Sequence, residues 1–270
     1  MRLLACMLLL MLLQLCSAYN YCHNSTHLCD LVGEKHFICE KHQPYLNKTK
    51  YVGTIPNTLR LRKIILSYYN KYRNEVASGT LITLYNKTFP PACRMRELIW
   101  DVELAYTARL HAETVSFKHS LCRSVLRFPY AGECIGIVRP ISKRRSIKNI
   151  MDKTIRFMFE TYFRVEDPEQ LISFFRVPQD LHLSPFTILI SDRVSRVGCA
   201  IVVATDCMLN YKSGYCYLIT CHFDFIMVSK SFTYKTGEPT SNCSDWESRP
   251  SNSFRNLCRN TGKIFPVERK

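Results

Sequence analysis

The sequence predicts an α+β, disulfide-rich protein in which helices come first and strands last. Residues 64–79, IILSYYNKYRNEVASG, carry an aliphatic or aromatic side chain at every fourth position, as an amphipathic helix does. The last third contains short apolar runs whose connections are too short for crossover helices, which favours an antiparallel sheet. Helices followed by strands around one core indicate layers of helix packed against a sheet.

Residues 1–18 are typical of a cleaved secretory signal. Arg2 supplies the positive charge, residues 3–15 are apolar, and Cys16-Ser17-Ala18 resembles a cleavage site. The apolar run is shorter than the roughly 20 residues that a transmembrane helix needs. We therefore expect a secreted, extracellular protein without a transmembrane segment.

Cysteines and glycosylation sequons agree with export. Of 14 cysteines, Cys6 and Cys16 belong to the signal, and the even remainder predicts up to six disulfides. Sequons for N-linked glycans occur at four positions, which are Asn24, Asn47, Asn86 and Asn242.

The chain is strongly basic, with a formal net charge of +15. A basic extracellular surface favours anionic glycans, acidic proteins or membrane headgroups, whereas no motif indicates nucleic acid. Residues 139–148, RPISKRRSIK, are a candidate glycan or headgroup contact, a dibasic processing site or a solvated loop. The basic side chains proposed for such a contact are Lys143, Arg144, Arg145 and Lys148.

The remaining elements follow from local patterns. In the first helix, we expect Lys71, Arg73, Asn74 and Glu75 to be left mostly for solvent or polar contacts. Further helices are predicted over residues 97–116 and 147–164, with a short helical piece over 169–175. A turn leads into a strand within 127–138, and three more strands are predicted over residues 186–191, 198–204 and 215–222.

Seven stretches together resemble the CAP superfamily (cysteine-rich secretory proteins, antigen 5 and pathogenesis-related 1), and the insect antigen 5-like branch most closely. The similarity runs in order along nearly the whole mature chain. The stretches are YNYC at 19–22, YYNKYRNEVASG at 68–79, CRMRELIWDVELA at 93–105, FKHSLC at 117–122, AGECIGI at 131–137, SRVGCAIV at 195–202 and YKTGEPTSNC at 234–243.

The resemblance implies a CAP-type α-β-α sandwich with a central antiparallel sheet. It divides the mature chain into a cysteine-rich extension (19–56), the CAP domain (57–225) and a disulfide-tied tail (226–270). It also implies a secreted, non-catalytic glycoprotein that binds another extracellular protein, with a lipid or sterol carrier as the alternative.

The family carries a cleft with two histidines and two acidic residues, which can hold a divalent metal when both histidines are present. By resemblance, the four positions here are Tyr69, Glu133, Glu160 and Pro185, so both histidines are replaced. Proline offers no side-chain donor and tyrosine is a poor zinc ligand, so we expect no metal, cofactor or catalytic residue. His182 is a candidate replacement ligand if its loop shifts. The structural alternative for both glutamates is hydrogen bonding to backbone groups or to Tyr69.

The resemblance also narrows the disulfide pairing. It suggests the bridges Cys22–Cys39, Cys29–Cys122, Cys199–Cys221 and Cys243–Cys258. Cys207 and Cys216 flank a short turn and are expected to close a hairpin. The two that remain, Cys93 and Cys134, are predicted to pair by elimination.

Overall fold

The computed structural model of the chain describes residues 20–23, 27–139, 146–207 and 214–265. The predicted signal (1–18), the Asn24 sequon and the basic side chains at 143–145 lie outside these described residues. Within them, no helix is both long enough and apolar enough to cross a membrane.

A five-stranded sheet lies at the centre of the described part of the chain. Its strands are β1 (Lys50–Thr54), β2 (Ile99–Trp100), β3 (Gly132–Val138), β4 (Arg196–Thr205) and β5 (Cys216–Phe223). Antiparallel pairing gives the order β1-β4-β5-β3, and the two-residue β2 runs parallel to the start of β4. The predicted antiparallel sheet is present, and β3 lies at one of its edges.

Helices cover both faces of this sheet. They are α1 (Leu59–Ala77), α2 (Val102–Glu113), α3 (Ile147–Phe159), α4 (Pro168–Ser173) and α5 (Ser184–Ile190). Side chains alternate along β4, so that Ala200 and Val202 pack with the α2 side while Ile201 joins the core beneath α1, α3 and α5. The result is an α-β-α sandwich.

Two glycines allow a helix to lie directly on a strand. A Cβ atom at Gly198 of β4 would lie 2.0 Å from the backbone nitrogen of Ala105 in α2. At Gly136 of β3, a Cβ atom would lie 2.1 Å from Cγ2 of Thr154 in α3. Any larger residue at either position would push the helix away from the sheet.

Helix α1 follows the predicted amphipathic pattern and is longer than residues 64–79. It begins earlier because the Thr58 hydroxyl accepts a hydrogen bond from the Leu61 N–H at 3.2 Å, which caps the first turn. It ends before Gly79, whose φ of +73° is the left-handed conformation typical of a helix stop. Ile65 and Tyr69 are buried against the sheet.

Of the two surroundings expected for Arg73, solvent or polar contacts, the structure shows polar contacts, because its side chain is fully buried. Its guanidinium donates to the carbonyl oxygens of Arg96 at 2.8 Å, Leu189 at 2.7 Å, Ser191 at 2.9 Å and Val194 at 3.2 Å. Burial lowers the pKa of Arg73 to about 9. Arg73 follows the buried Tyr69 by four residues and so lies on the inner face of α1, where the four carbonyls compensate its charge.

The strand predicted over residues 186–191 is wrong, because this segment is helix α5. Every residue from 186 to 190 is buried, so the apolar run shows no period that separates a strand from a helix. Pro185 lies in the first turn of α5, a position where its missing N–H costs nothing.

Two other predicted helices have ends that differ from those in the structure. The helix predicted over 97–116 is shorter, since residues 99–100 pair with β4 and Asp101 caps α2 through its carboxylate. The helix predicted over 147–164 ends as α-helix at Phe159 and continues as the 3₁₀ turn Glu160–Arg164. The predicted piece at 169–175 corresponds to α4, and the strands at 198–204 and 215–222 correspond to β4 and β5.

Five of the six expected disulfides are formed in the structure. They are Cys22–Cys39, Cys29–Cys122, Cys199–Cys221, Cys207–Cys216 and Cys243–Cys258.

The sixth expected bridge, Cys93–Cys134, is not formed, because the two free thiols are buried in different places. Sγ of Cys93 lies 3.4 Å from the carbonyl oxygen of Lys235, whereas Sγ of Cys134 lies 4.0 Å from that of Pro185. Burial raises the pKa of Cys134 to about 12, which keeps this thiol protonated and unreactive.

The C-terminal tail is held by one tryptophan. Trp246 is buried and its indole N–H donates to the Arg94 carbonyl at 2.8 Å. The guanidinium of Arg96 lies 3.9 Å from the centre of the indole ring, a cation–π contact. Together with the Cys243–Cys258 bridge, these contacts fix the tail on the segment that precedes β2.

Replacing Arg73 with methionine should destabilise the fold strongly. The change leaves four buried carbonyl oxygens without their donor, and even one such unpaired group costs about 1–3 kcal/mol. We expect the free energy of unfolding to fall by about 3 kcal/mol or more, measured by urea denaturation followed by tryptophan fluorescence. Arg60→Met, an exposed position of the same helix, is the control. Equal urea midpoints for the two variants would contradict the role given to Arg73.

Candidate functional site

The four positions expected to form the cleft do not come together. Glu133 and Cys134 are successive residues of β3, so their side chains point to opposite faces of the sheet. Tyr69 lies on the Cys134 side, where its ring packs edge-on against Phe223 at 5.6 Å. Pro185 is on that side too, since its carbonyl oxygen contacts the Cys134 thiol. Glu133 is therefore separated from Tyr69 and Pro185 by the sheet.

Glu160 and His182 lie away from any enclosed site. The Glu160 carboxylate is half-exposed and pairs with Nε of Arg156 at 2.6 Å, one helical turn before it. His182 is exposed, and its Nδ1 lies 3.0 Å from the carbonyl oxygen of Gln179. His182 is thus a hydrogen-bonded surface side chain here and does not replace the missing cleft histidine.

Glu133 is instead the buried centre of a cluster on the α2 face, whose outer member His119 is exposed. Its carboxylate accepts hydrogen bonds from Nδ1 of His119 at 2.9 Å and from Nε2 of His222 at 3.1 Å. It also accepts from the backbone N–H of Ser120 at 3.0 Å and from the Ser120 hydroxyl at 3.1 Å. The expected backbone hydrogen bond is present, whereas Tyr69 contributes none. We call Glu133, His119, Ser120, His222 and His111 the Glu133 cluster.

The Glu133 carboxylate is ionised despite its burial. Burial alone would raise its pKa, but the hydrogen bonds from His119 and His222 and the charge of Arg123 hold the pKa well below its usual range. A guanidinium nitrogen of Arg123 lies 3.6 Å from the carboxylate. The negative charge is therefore balanced within the fold.

The two inner histidines of the cluster are neutral. Nε2 of His111 donates to the Lys118 carbonyl at 3.1 Å, and burial lowers the pKa of His111 to about 4. Burial also lowers the pKa of His222. Because Nε2–H of His222 donates to the carboxylate, Nδ1 carries no proton in the neutral ring and accepts a hydrogen bond from the Thr107 hydroxyl at 2.8 Å.

Residues of the N-terminal extension close over this cluster. The Phe37 ring lies edge-on to His111 at 5.6 Å and to His222 at 5.8 Å. His36 stacks on His27 at 5.3 Å, and burial lowers the pKa of His36 to about 4. The Cys29–Cys122 bridge fixes the extension beside the cluster.

The residues at the expected cleft positions do not fit a metal ion. The Tyr69 hydroxyl is buried without a hydrogen-bond partner among the described residues, and burial raises its pKa well above 10. A protonated phenol is a poor zinc ligand. Across the described residues, no group of three or more His, Cys, Asp or Glu side chains is arranged to hold a metal ion.

An open groove lies on the same side of the sheet as α2, between β1 and that helix. Its volume is about 420 Å³, and Cys199 and Ala200 are among the residues that line it. Val102 and Tyr106 of α2 line one side and are 65% and 42% exposed. Arg109 lies over the Tyr106 ring at 5.3 Å. We call this the β1–α2 groove; the segment after β1 supplies its other side, with Thr54, Ile55, Pro56 and Asn57.

Comparison with known protein families assigns the chain. The model of the cysteine-rich secretory protein family, CAP, matches residues 66–223, which is more than half of the sequence. The chain belongs to this family. The match includes α1 from Leu66 onward, most of the sheet (strands β2 to β5) and all five residues of the Glu133 cluster.

Two insect relatives place this CAP protein near the antigen 5 branch. Venom allergen-1 of Aedes albopictus is 30% identical over 250 residues, covering 88% of this chain and 87% of the relative. The antigen 5 like allergen Cul n 1 of Culicoides nubeculosus is 31% identical over 192 residues, covering 68% of this chain and 83% of the relative. The resemblance to antigen 5-like CAP proteins is confirmed.

Solved structures confirm the CAP fold. The crystal structure of NaASP2 with Zn²⁺ matches with a TM-score of 0.58 and 20% identity, covering 76% of this chain and all of that chain. Na-ASP-1 matches with a TM-score of 0.60 and 19% identity, covering 77% of this chain and 51% of that chain. The α-β-α sandwich predicted from the sequence is therefore the family fold.

Of the five residues in the Glu133 cluster, the sequence predicted a site role only for Glu133. The FKHSLC stretch supported the resemblance, but its His119 and Ser120 received no role, although they provide three hydrogen bonds to Glu133. His111 and His222 carried no local signal, because they come from a helix and a strand that meet only in the folded chain. The sequence does contain one usable signal: side chains alternate along a strand, so Glu133 and Cys134 of β3 must face opposite sides of the sheet.

Acid should destabilise the CAP protein through its buried histidines. His36 and His111 have pKa values of about 4 in the fold against 6.5 in the unfolded chain, so the unfolded chain binds more protons between these values. The free energy of unfolding should fall as pH drops from 6.5 towards 4, by roughly 2 kcal/mol per histidine at about pH 5. Melting temperatures measured between pH 4 and 7.5 test this.

The substitution His36→Asn tests whether His36 contributes to the predicted loss of stability in acid. Asparagine keeps an acceptor for the Ile38 N–H at the start of a 3₁₀ turn and removes the titrating ring. This variant should show a shallower loss of stability with acid than wild type, whereas His182→Asn, at an exposed position, should not. If the melting temperature of His36→Asn falls with acid as steeply as that of wild type, His36 does not contribute to the acid destabilisation.

The buried phenol of Tyr69 should be dispensable. Tyr69→Phe removes a hydroxyl with no partner among the described residues, so the melting temperature should stay the same or rise. Tyr234→Phe is the matched control, because that hydroxyl donates to the Pro90 carbonyl at 2.7 Å. In the control, the free energy of unfolding should fall by about 1 kcal/mol. A clear loss for Tyr69→Phe in calorimetry would mean that this hydroxyl has a partner.

Proposed function

We propose that this protein is a secreted, non-catalytic glycoprotein that acts by binding another extracellular protein, in a fluid such as venom, saliva or seminal fluid. The observation that carries the proposal is a contrast between two places on the same side of the sheet. The Glu133 carboxylate is buried and held by four hydrogen bonds, whereas the β1–α2 groove is open and lined largely by apolar and aromatic side chains.

The Glu133 cluster supports a structural role over a catalytic one. The Glu133 side chain is 1% exposed, and both of its oxygens accept hydrogen bonds from His119, Ser120 or His222. A general acid or base must reach a substrate atom, which this carboxylate does not. Membership of the CAP family, with venom allergens among the relatives, agrees with a protein that works without catalysis.

The β1–α2 groove has the features of a protein-binding surface. Tyrosine and arginine contribute strongly to the core of protein interfaces, and Tyr106 and Arg109 lie together on its wall. Tyr51 on β1 is 45% exposed, and its hydroxyl lies 2.8 Å from that of Thr54 at the rim. The groove and its rim therefore offer a continuous surface for a partner.

A lipid or sterol carrier is the second candidate, and the same groove favours it. Ile55, Pro56, Val102 and Ala105 supply apolar contacts within a volume that fits a small ligand. Protein binding accounts better for the exposed arginine and for the opening to solvent along the groove. Organic extraction of the purified secreted protein followed by mass spectrometry distinguishes the two, since a carrier would release stoichiometric lipid.

Further features of the proposed molecule remain predictions. Asn47, Asn86 and Asn242 are exposed and accessible to glycosylation. Lys148 is exposed at the end of the basic loop, which we retain as a candidate glycan or headgroup contact. We also retain the cleaved signal and the division into residues 19–56, 57–225 and 226–270.

Affinity capture from the native fluid tests the proposal. The secreted, glycosylated protein serves as bait, and bound proteins are identified by mass spectrometry. Tyr106→Ala with Val102→Ser should reduce capture of the partner at least tenfold. The control Tyr85→Ala with Val228→Ser removes equivalent exposed side chains elsewhere and should leave capture unchanged.

Two outcomes would overturn the proposal. If the groove variant and the control capture the same proteins to the same extent, the groove is not the binding surface. Zinc titration by calorimetry should give no micromolar binding. Binding that is lost in Glu133→Ala would instead favour a metal-dependent protein.

A further inference from the structure

A second groove lies on the C-terminal tail and is basic where the β1–α2 groove is apolar. Its volume is about 670 Å³, and it is lined by Glu247, Ser248, Arg249, Arg259, Asn260 and Thr261. A volume of this size accommodates a short oligosaccharide. We propose that this tail groove binds a sulfated polysaccharide through Arg249 and Arg259.

The two arginines are held side by side. The Arg259 N–H donates to the Arg249 carbonyl at 2.8 Å, and the next pair, Pro250 and Cys258, forms an antiparallel bridge. Residues directly opposite in an antiparallel pair project to the same side. Both guanidinium groups therefore belong to one wall of the groove, where both residues are exposed.

This arrangement is unfavourable without an anion. Like charges directly opposite each other across an antiparallel pair are destabilising. Among the described residues, neither guanidinium forms an ion pair, a side-chain hydrogen bond or a cation–π contact. Glu247, the acidic residue of the lining, is paired with Lys263. An anionic group between Arg249 and Arg259 would relieve their repulsion.

The floor of the groove is rigid, so a ligand would meet a preformed site. The Asn260 amide donates to the carbonyl oxygens of Glu97 at 2.8 Å and Ser195 at 2.7 Å. Thr261 donates to the carbonyl of the buried Trp246 at 3.3 Å. The Cys243–Cys258 bridge closes the same segment. The backbone that carries the two arginines is therefore fixed before a ligand binds, and only their side chains must become ordered.

The chemistry favours sulfate on a polysaccharide over a membrane headgroup. Guanidinium groups bind planar or tetrahedral oxyanions with two parallel hydrogen bonds. Arg255 is exposed on the same disulfide-closed loop and extends the basic surface for a linear polyanion. From residue 229 to 265, no large apolar side chain is more than 36% exposed. A membrane-binding surface normally carries such anchors.

Heparin affinity tests the proposal. The secreted protein is measured against a heparin oligosaccharide by calorimetry at several NaCl concentrations. Arg249→Gln with Arg259→Gln should weaken binding at least tenfold and should flatten the dependence on salt, because fewer counterions are released. The control Arg60→Gln with Arg164→Gln removes the same charge from exposed positions elsewhere and should change affinity less than threefold.

Two further measurements distinguish a sulfated polysaccharide from other ligands and test the proposed repulsion between Arg249 and Arg259. Desulfated heparin and phosphatidylserine vesicles should bind at least tenfold more weakly than heparin. Without ligand, the Arg249→Gln/Arg259→Gln variant should melt at the same or a higher temperature, since the cross-strand repulsion is removed.

The proposal is overturned if both double variants lose affinity equally, which would mean a dispersed basic surface. Vesicle binding that exceeds heparin binding would also overturn it. The tail groove is separate from the β1–α2 groove, so neither result depends on the protein partner proposed for that groove.

Discussion

The buried guanidinium of Arg73 is the interaction on which the central part of the fold depends. It joins α1 to the segment before β2 and to the loop between α5 and β4, three parts of the chain that are distant in sequence. One turn earlier, Asn70 exchanges two hydrogen bonds with the backbone of Leu98. Helix α1 therefore positions the starts of β2 and β4 through polar groups, while its apolar face packs on the sheet.

Local patterns in the sequence predict the elements whose partners lie nearby or repeat regularly. The α1 stripe and the stop at Gly79 depend on period and on backbone conformation, which a sequence displays directly. Strands β4 and β5 are buried along nearly their whole length, and short apolar runs with short connections predicted them. The burial of Arg73 depends on four carbonyls that come together only in the folded chain. Helix α5 was misassigned because a segment buried on all sides has no period.

The candidate site was predicted only in part for a similar reason. Glu133 was identified as a central acidic residue, and its hydrogen bond to backbone was expected. Its partners do not follow from family position, because the alternation of side chains along β3 puts Glu133 on the face of the sheet opposite to Tyr69 and Pro185. The result is a buried carboxylate in an acid–histidine cluster beside the N-terminal extension, with His119 exposed at its outer side.

For the secreted protein proposed above, the spacing of the disulfides has a consequence for how the chain matures during synthesis. Cys22–Cys39 and Cys243–Cys258 close over separations of 17 and 15 residues, so each can form soon after its segment enters an oxidising compartment. Cys29 lies inside the first of these loops, and its partner Cys122 arrives 93 residues later. The extension must therefore carry an unpaired, exchange-prone thiol until α2 has been translocated, which makes this step the one where a disulfide isomerase has most to correct.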